Sequence, residues 1–125
     1  MNGYVTNIER DTLENEDFRR VLFTGSHMQL VLMTLQPGDD IGLETHDGHD
    51  QFIRVEAGSG VALLNGKEHR LEDGSIVLIP AGVEHNVVND SESEPLRLYT
   101  LYSPPEHADG TVHATKAEAS AAGHH

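Results

Sequence analysis

Residues 51–82 read QFIRVEAGSGVALLNGKEHRLEDGSIVLIPAG, and this stretch indicates the fold class. Asn65-Gly66 is the dipeptide that most strongly favours a two-residue β-hairpin, and Asp73-Gly74 predicts a second turn. The turn signals separate short runs that we interpret as strands: Gln51–Ala57, Val61–Leu64, Lys67–Leu71 and Ser75–Ile79. Strands joined by such short turns pair in an antiparallel manner.

The same alternation of strands and turns extends in both directions. Further runs with strand character recur about every 8–12 residues, as in antiparallel sandwiches and barrels. They are Phe18–Phe23, His27–Leu35, Ile41–Thr45, Glu84–Val88 and Leu96–Tyr102. No segment keeps the period of a long helix, although Asp11–Asp17 is either a helical turn or a loop. We therefore predict an all-β fold.

The predicted domain organisation is simple. A chain of 125 residues has the length of one domain, which we place over residues 1–125 with a core of residues 18–103. From Glu106 onward the chain is small and polar. We interpret residues 104–125 as a C-terminal strap over the barrel, either a short helix or a disordered tail at its end.

Composition excludes several function classes. The chain contains no Cys, so disulfides, thiol nucleophiles and thiolate metal sites are excluded. Its formal charge of −13 opposes binding to nucleic acid and to anionic membrane surfaces. No apolar run has the length of a membrane span, and residues 1–10 lack a signal-peptide pattern. We therefore predict a cytoplasmic protein.

Nine His residues stand out in this composition, because imidazole is the commonest metal ligand in proteins. Glu44 and His46 lie two residues apart, so both side chains leave the same face of a strand. Gln51 opens the next predicted strand beside His46, and His85 begins another strand far downstream. The chain ends in His124 and His125, which are either native or the remnant of a tag.

These residues belong to two glycine-framed patterns that resemble the motifs of the cupin family. The first motif of that family is G-x5-H-x-H-x(3,4)-E-x6-G, and the chain has Gly38-x5-Glu44-x-His46-x4-Gln51-x6-Gly58. At every defined position the second motif matches Gly74-x5-Pro80-x-Gly82-x2-His85-x3-Asn89. The resemblance spans roughly residues 36–89. It implies a double-stranded β-helix, the jelly-roll barrel of a small single-domain cupin.

The resemblance also implies a divalent metal ion bound by Glu44, His46, Gln51 and His85. Two positions depart from the family pattern, because Glu44 replaces a His and Gln51 replaces the usual Glu. Both replacements keep a donor oxygen, which favours Mn(II) or Zn(II) while still permitting Fe(II) or Ni(II). In the alternative interpretation, Glu44 and Gln51 only form hydrogen bonds at the mouth of a barrel that binds no metal.

Three functions are compatible with such a site. The first is an enzyme whose metal acts as a Lewis acid on a small polar metabolite, in an isomerase or lyase reaction on a sugar or keto acid. There Glu44 is a ligand or, once released, a general base; no other catalytic residue is assigned. The second is a binding or sensor module without turnover. The third is a dioxygenase that holds Fe(II) with His46, His85 and Glu44.

The chain also resembles small cupins that dimerise through N-terminal strands, which predicts a homodimer with a strand at Tyr4–Ile8. The remaining His residues are weaker candidates. His49 lies on a loop and matches no motif position, whereas His27 and His69 are expected at the surface. His107 and His113 flank a turn that is either solvated or a lid over the barrel mouth. Tyr99 and Tyr102 point to opposite faces of the last strand, so at most one reaches the cavity.

Overall fold

Strands dominate the computed structural model, which describes residues 2–123 and leaves His124 and His125 outside the described residues. The strands in this range are β1 (Arg19–Thr24), β2 (Gln29–Leu35), β3 (Asp50–Ala57), β4 (Gly60–Leu64), β5 (Lys67–Leu71), β6 (Ile76–Ile79), β7 (His85–Val88), β8 (Leu96–Ser103) and β9 (Val112–His113). Two short helices are α1 (Ile8–Glu14) and α2 (Lys116–Ala121). Within the described range neither helix is long and apolar enough to cross a membrane.

The strands form two antiparallel sheets. The larger sheet has six strands in the order β6-β3-β8-β2-β1-β9, and the smaller has three in the order β5-β4-β7. The β1–β2 and β4–β5 pairs are hairpins, whereas the other neighbours in both sheets are far apart in the chain, as in a jelly roll. The predicted all-β fold is confirmed.

One apolar core fills the space enclosed by the sheets. Along β3 and β8, alternate residues point inward, and Ile53, Val55, Leu96 and Leu98 are completely buried. Burial of such side chains drives folding because it removes apolar surface from water. Gln51, Ile53 and Val55 thus share the inward face of β3.

The backbone requires glycine at two positions, one in the β4–β5 hairpin and one at the end of β3. At the β4–β5 hairpin, Asn65 and Gly66 both have positive φ, 50° and 81°, as a type I′ turn requires. The motif residue Gly58 has φ +102°, and a Cβ atom there would lie 2.5 Å from the carbonyl oxygen of Pro95. Only glycine permits this close approach between the end of β3 and the start of β8.

The prediction of a strand at Tyr4–Ile8 is wrong. The side chain of Asn7 accepts a hydrogen bond from the backbone N–H of Arg10 at 2.9 Å and thereby caps α1, which begins at Ile8. Of the two alternatives weighed for Asp11–Asp17, the helical one is correct for its first part.

The prediction of a regular strand at Ile41–Thr45 is also wrong. This segment makes only isolated bridges, among them one between Glu44 and His85. There the backbone N–H of each residue donates to the carbonyl of the other, at 2.9 Å from Glu44 and 2.8 Å from His85. These two bonds place the side chains from the two sequence motifs next to each other.

Candidate metal centre

The four predicted ligands Glu44, His46, Gln51 and His85 line one enclosed cavity at the mouth of the barrel. Its volume is about 10 Å³, which is the space for about one water molecule or one ion. The remaining lining residues are Arg19, Met33, Ile41, Gly42 and Tyr102. The structure thus brings together all four residues that the sequence singled out. Metal binding by them stays a prediction.

His85 presents a lone pair to this cavity. Its side chain is buried, and its Nδ1 lies 2.9 Å from the carbonyl oxygen of Val83. A carbonyl only accepts hydrogen bonds, so Nδ1 carries the proton and Nε2 is the acceptor nitrogen. Metal-binding imidazoles are oriented by such a hydrogen bond from their other nitrogen.

Gln51 presents a buried oxygen with no partner. Its Nε2 donates to the hydroxyl of Thr100 at 3.0 Å, which fixes the orientation of the amide. Its Oε1 is buried and accepts no hydrogen bond among the described residues. Leaving a buried acceptor unsatisfied costs about 1–3 kcal/mol, so this oxygen needs a cation or another donor.

Glu44 and His46 are close together and electrostatically perturbed. His46 Nε2 lies 2.8 Å from Glu44 Oε2. The pKa of Glu44 is raised to about 7, because burial and, to a smaller extent, the negative charge of Glu106 outweigh the opposing positive charge of Arg19. Burial lowers the pKa of His46, with Glu106 opposing the shift and the neighbouring imidazoles adding to it. The His46 ring is therefore neutral at pH 7, the form that binds metal.

Two further side chains at the mouth, His49 and Glu106, were missed or ranked low by sequence reasoning. The His46 and His49 rings lie 4.6 Å apart, centroid to centroid. His49 Nε2 lies 2.5 Å from Glu106 Oε2, without the geometry of a hydrogen bond. His46 Nδ1 lies 3.7 Å from the same oxygen. His49, a weaker candidate from the sequence, therefore lies next to the four predicted ligands.

The strap brings Glu106 to the mouth because a buried side chain fastens it there. Gln29 Oε1 accepts hydrogen bonds from the backbone N–H groups of Glu106 and His107 at 3.1 and 2.9 Å. Its Nε2 donates to the carbonyl of His107 at 2.8 Å. The sequence predicted a strap over the barrel, but no local pattern identified Glu106 as the residue that the strap places at the mouth.

A fully buried Arg19 lies in the wall of the cavity. Its Nη1 is 3.3 Å from Nδ1 of His113, which faces it across the β1–β9 pair. Burial lowers the pKa of Arg19, while Tyr102, Glu44 and Glu106 raise it through their charges. The guanidinium therefore supplies positive charge beside the two carboxylates of the site.

The structure also locates the remaining His residues and the two tyrosines of the last predicted strand. His27 and His69 are exposed, as predicted. His107 and His113 are both buried, whereas the turn that they flank, residues 108–110, is exposed to solvent. Of the two tyrosines, Tyr102 lines the cavity and burial raises its pKa, whereas Tyr99 packs against Phe52 on the outer side.

Comparison with known proteins gives consistent results. The family model of the cupin domain matches residues 31–102. The chain is 47% identical to the uncharacterized protein YrkC of Bacillus subtilis, over 95% of this chain and 67% of that protein. The crystal structure of BH2720 from Bacillus halodurans is 48% identical, with a TM-score of 0.91 over 94% of this chain and 93% of that one. An oxalate-binding protein of Thermotoga maritima is 29% identical over 62 residues, which are 50% of this chain and 51% of that protein.

Proposed function

The chain belongs to the cupin family, and from this membership and the geometry of the barrel mouth we propose that it is a metal-binding cupin. The divalent cation, which is Mn, Zn, Fe or Ni, is held by Glu44, His46, Gln51 and His85. We call these four residues the inner set. They offer two imidazole nitrogens, one carboxylate and one amide oxygen, a mixture that suits Mn(II) and Zn(II) best.

The observation that carries this proposal is the buried Oε1 of Gln51. Its amide nitrogen donates to the Thr100 hydroxyl, and in this orientation the oxygen points into the cavity. His85 supports the same conclusion, because its proton is committed to the Val83 carbonyl. Both side chains thus present lone pairs to a space about the size of one ion.

When bound, such a cation polarises a carbonyl or carboxylate oxygen as a Lewis acid. We propose a small polar metabolite as the ligand, of the sugar or keto acid type, with isomerase or lyase chemistry. Arg19 adds positive charge to the cavity wall, which favours a ligand that carries a carboxylate. The similarity to an oxalate-binding protein is in line with that ligand class.

A second candidate is a binding or sensor module without turnover. The cavity is about 10 Å³, which leaves no room for a metabolite beside an ion in this conformation. Product formation from keto acids or sugars in the presence of metal would favour the enzyme. Metal-dependent ligand binding without product would favour the module, and oxygen uptake with Fe(II) would identify a dioxygenase. The predicted homodimer and cytoplasmic location belong to this proposal and rest on the sequence alone.

Metal affinity of Gln51 variants tests the proposal. Metal content is measured by mass spectrometry after reconstitution with Mn, Fe, Ni or Zn, in a background carrying His124→Ala and His125→Ala. We expect about one ion per chain, with Gln51→Leu weakening affinity about tenfold or more and Gln51→Glu restoring or strengthening it. Exposed Gln36→Leu is the matched control. Equal affinities of wild type and Gln51→Leu would contradict the proposal.

A further inference from the structure

We propose that the barrel mouth contains a second cation position, formed by His46 Nδ1, His49 Nε2 and Glu106 Oε2 and used in alternation with the inner set. We call these three residues the outer set. His49 and Glu106 belong to neither sequence motif. The outer set shares His46 with the proposed centre, but its other two donors are independent of it.

The geometry of the outer set suits a divalent ion. One donor atom from each of the three residues lies within 4.8 Å of the others. Two of these atoms, His49 Nε2 and Glu106 Oε2, are 2.5 Å apart without forming a hydrogen bond. Two imidazoles and one carboxylate leave open coordination positions, as in three-ligand Zn(II) sites and two-His-one-carboxylate Fe(II) sites.

The outer donors are held in place before any ion arrives. Gln29 is completely buried and fastens the backbone on both sides of the Glu106–His107 peptide. The ring of Tyr102 stands edge-on to both imidazoles, at 6.3 Å from His46 and 5.9 Å from His49 between centroids. Folding therefore positions the ligand atoms before a cation binds to them.

His46 makes the two positions alternatives. Its Nε2 faces Glu44 at 2.8 Å and its Nδ1 faces Glu106 at 3.7 Å. A neutral imidazole has one acceptor nitrogen, and the other nitrogen carries the proton. The tautomer of His46 therefore selects the position, and each chain binds one ion at a time.

The two positions differ in their access to solvent. The Glu106 side chain is 27% exposed and that of Glu44 is 20% exposed, whereas Gln51 and His85, the deeper ligands of the inner set, are 4% and 3% exposed. An ion that arrives from solvent meets the outer set first and reaches the inner set after His46 changes its tautomer. The outer set is thus a loading position for a divalent transition-metal ion.

Co(II) binding distinguishes the two positions, measured by equilibrium dialysis and by visible absorption of the bound ion. The full chain carries His124→Ala and His125→Ala throughout. We expect wild type to bind one Co(II). His85→Ala should still bind one Co(II) at saturation, with about tenfold weaker affinity and an altered spectrum. Adding His49→Ala to His85→Ala should abolish binding.

The combined variant His49→Ala/Glu106→Gln leaves the inner set intact and should retain one Co(II) with the spectrum of the inner position. Exposed His27→Ala and His69→Ala are the controls for loss of an imidazole. Circular dichroism checks folding of every variant. Gln51→Leu replaces His85→Ala as the inner-set variant if the latter does not fold.

The possible results separate this inference from the proposed function. If the inner-set variant binds no Co(II) and His49→Ala/Glu106→Gln behaves as wild type, the outer position is overturned and the inner set stands. If the inner-set variant behaves as wild type and the outer variant loses the ion, the outer position stands and the inner set is overturned. A wild-type chain that binds no Co(II) overturns both.

Discussion

Two ends of the same pair of strands differ in what they enclose. Toward the start of β8, Ile53, Val55 and Leu98 pack in an entirely apolar core. Toward its other end, the same face carries Gln51 and Tyr102, paired directly across β3 and β8. From Gln51 to Val55 the pairing of β3 with β8 is regular, so the change lies in the side chains. The apolar end therefore contributes most to stability. The mouth contains buried polar groups, and their burial costs free energy when no ligand is bound.

The largest effect on stability is expected from the apolar end. Leu98→Ala removes a completely buried side chain and should lower the free energy of unfolding by about 2–5 kcal/mol, because a cavity remains. Urea denaturation measures this change, and metal affinity of the folded variant should be unaltered. Leu43 is 61% exposed, so Leu43→Ala is the matched control, with a loss of less than about 0.5 kcal/mol. Similar losses in both variants would remove the contrast between core and surface.

A substitution at the barrel mouth should instead raise the free energy of unfolding. The pKa of Glu44 is raised to about 7 from 4.5, so the folded state is penalised once pH exceeds 4.5, and the penalty is complete above about pH 7. Without metal, Glu44→Gln should therefore be more stable than wild type at pH 8, by on the order of 2–3 kcal/mol, and similar to it at pH 4.5. Urea denaturation with a chelator present measures both points. Exposed Glu68→Gln should show no such pH dependence; equal behaviour of the two variants would count against a buried carboxylate.

The same carboxylate should make metal binding depend on pH. An ion binds the deprotonated form, so affinity rises as Glu44 loses its proton around pH 7. For one proton we expect about tenfold weaker binding at pH 6 than at pH 8. Zn(II) titration with a competing chelator of known pH dependence measures this ratio. The slope should be smaller in Glu44→Gln, and an unchanged slope would show that another group titrates.

The smallest effect on stability is expected at Thr100, which lies between the apolar end and the mouth. Thr100 is completely buried opposite Ile53, and its hydroxyl accepts the hydrogen bond of Gln51. Thr100→Val should lower stability by only about 1–2 kcal/mol, since it leaves one amide donor unsatisfied. It should also weaken metal binding, because the amide of Gln51 loses its orientation. Thermal unfolding and metal titration together check this prediction, and Ser93→Ala serves as the exposed hydroxyl control.

Local sequence features predicted the fold and marked four residues that the structure brings together. Asn65-Gly66 specifies its hairpin by its own backbone preference, and Gly58 marks a position where any side chain would collide with Pro95. The inner set was identified from the spacing of the two glycine-framed motifs, although Glu44 and His46 lie on a segment without a regular strand.

The outer set was not predictable in this way. Glu106 reaches His49 because Gln29 holds the strap, and a contact between residues so far apart in the chain leaves no local pattern. The failed strand at Tyr4–Ile8 has a different cause. A single capping residue, Asn7, gives the following residues a favourable helix start, and this outweighs their strand preference.

The hydrogen bonds between Gln29 and the strap affect the order in which the barrel mouth is assembled. Gln29 is buried only when β2 has paired with β8, and its hydrogen bonds reach into the strap beyond β8. During synthesis from the N-terminus, the motif residues emerge long before Glu106. The barrel mouth is therefore completed only after the strap has followed β8 out of the ribosome.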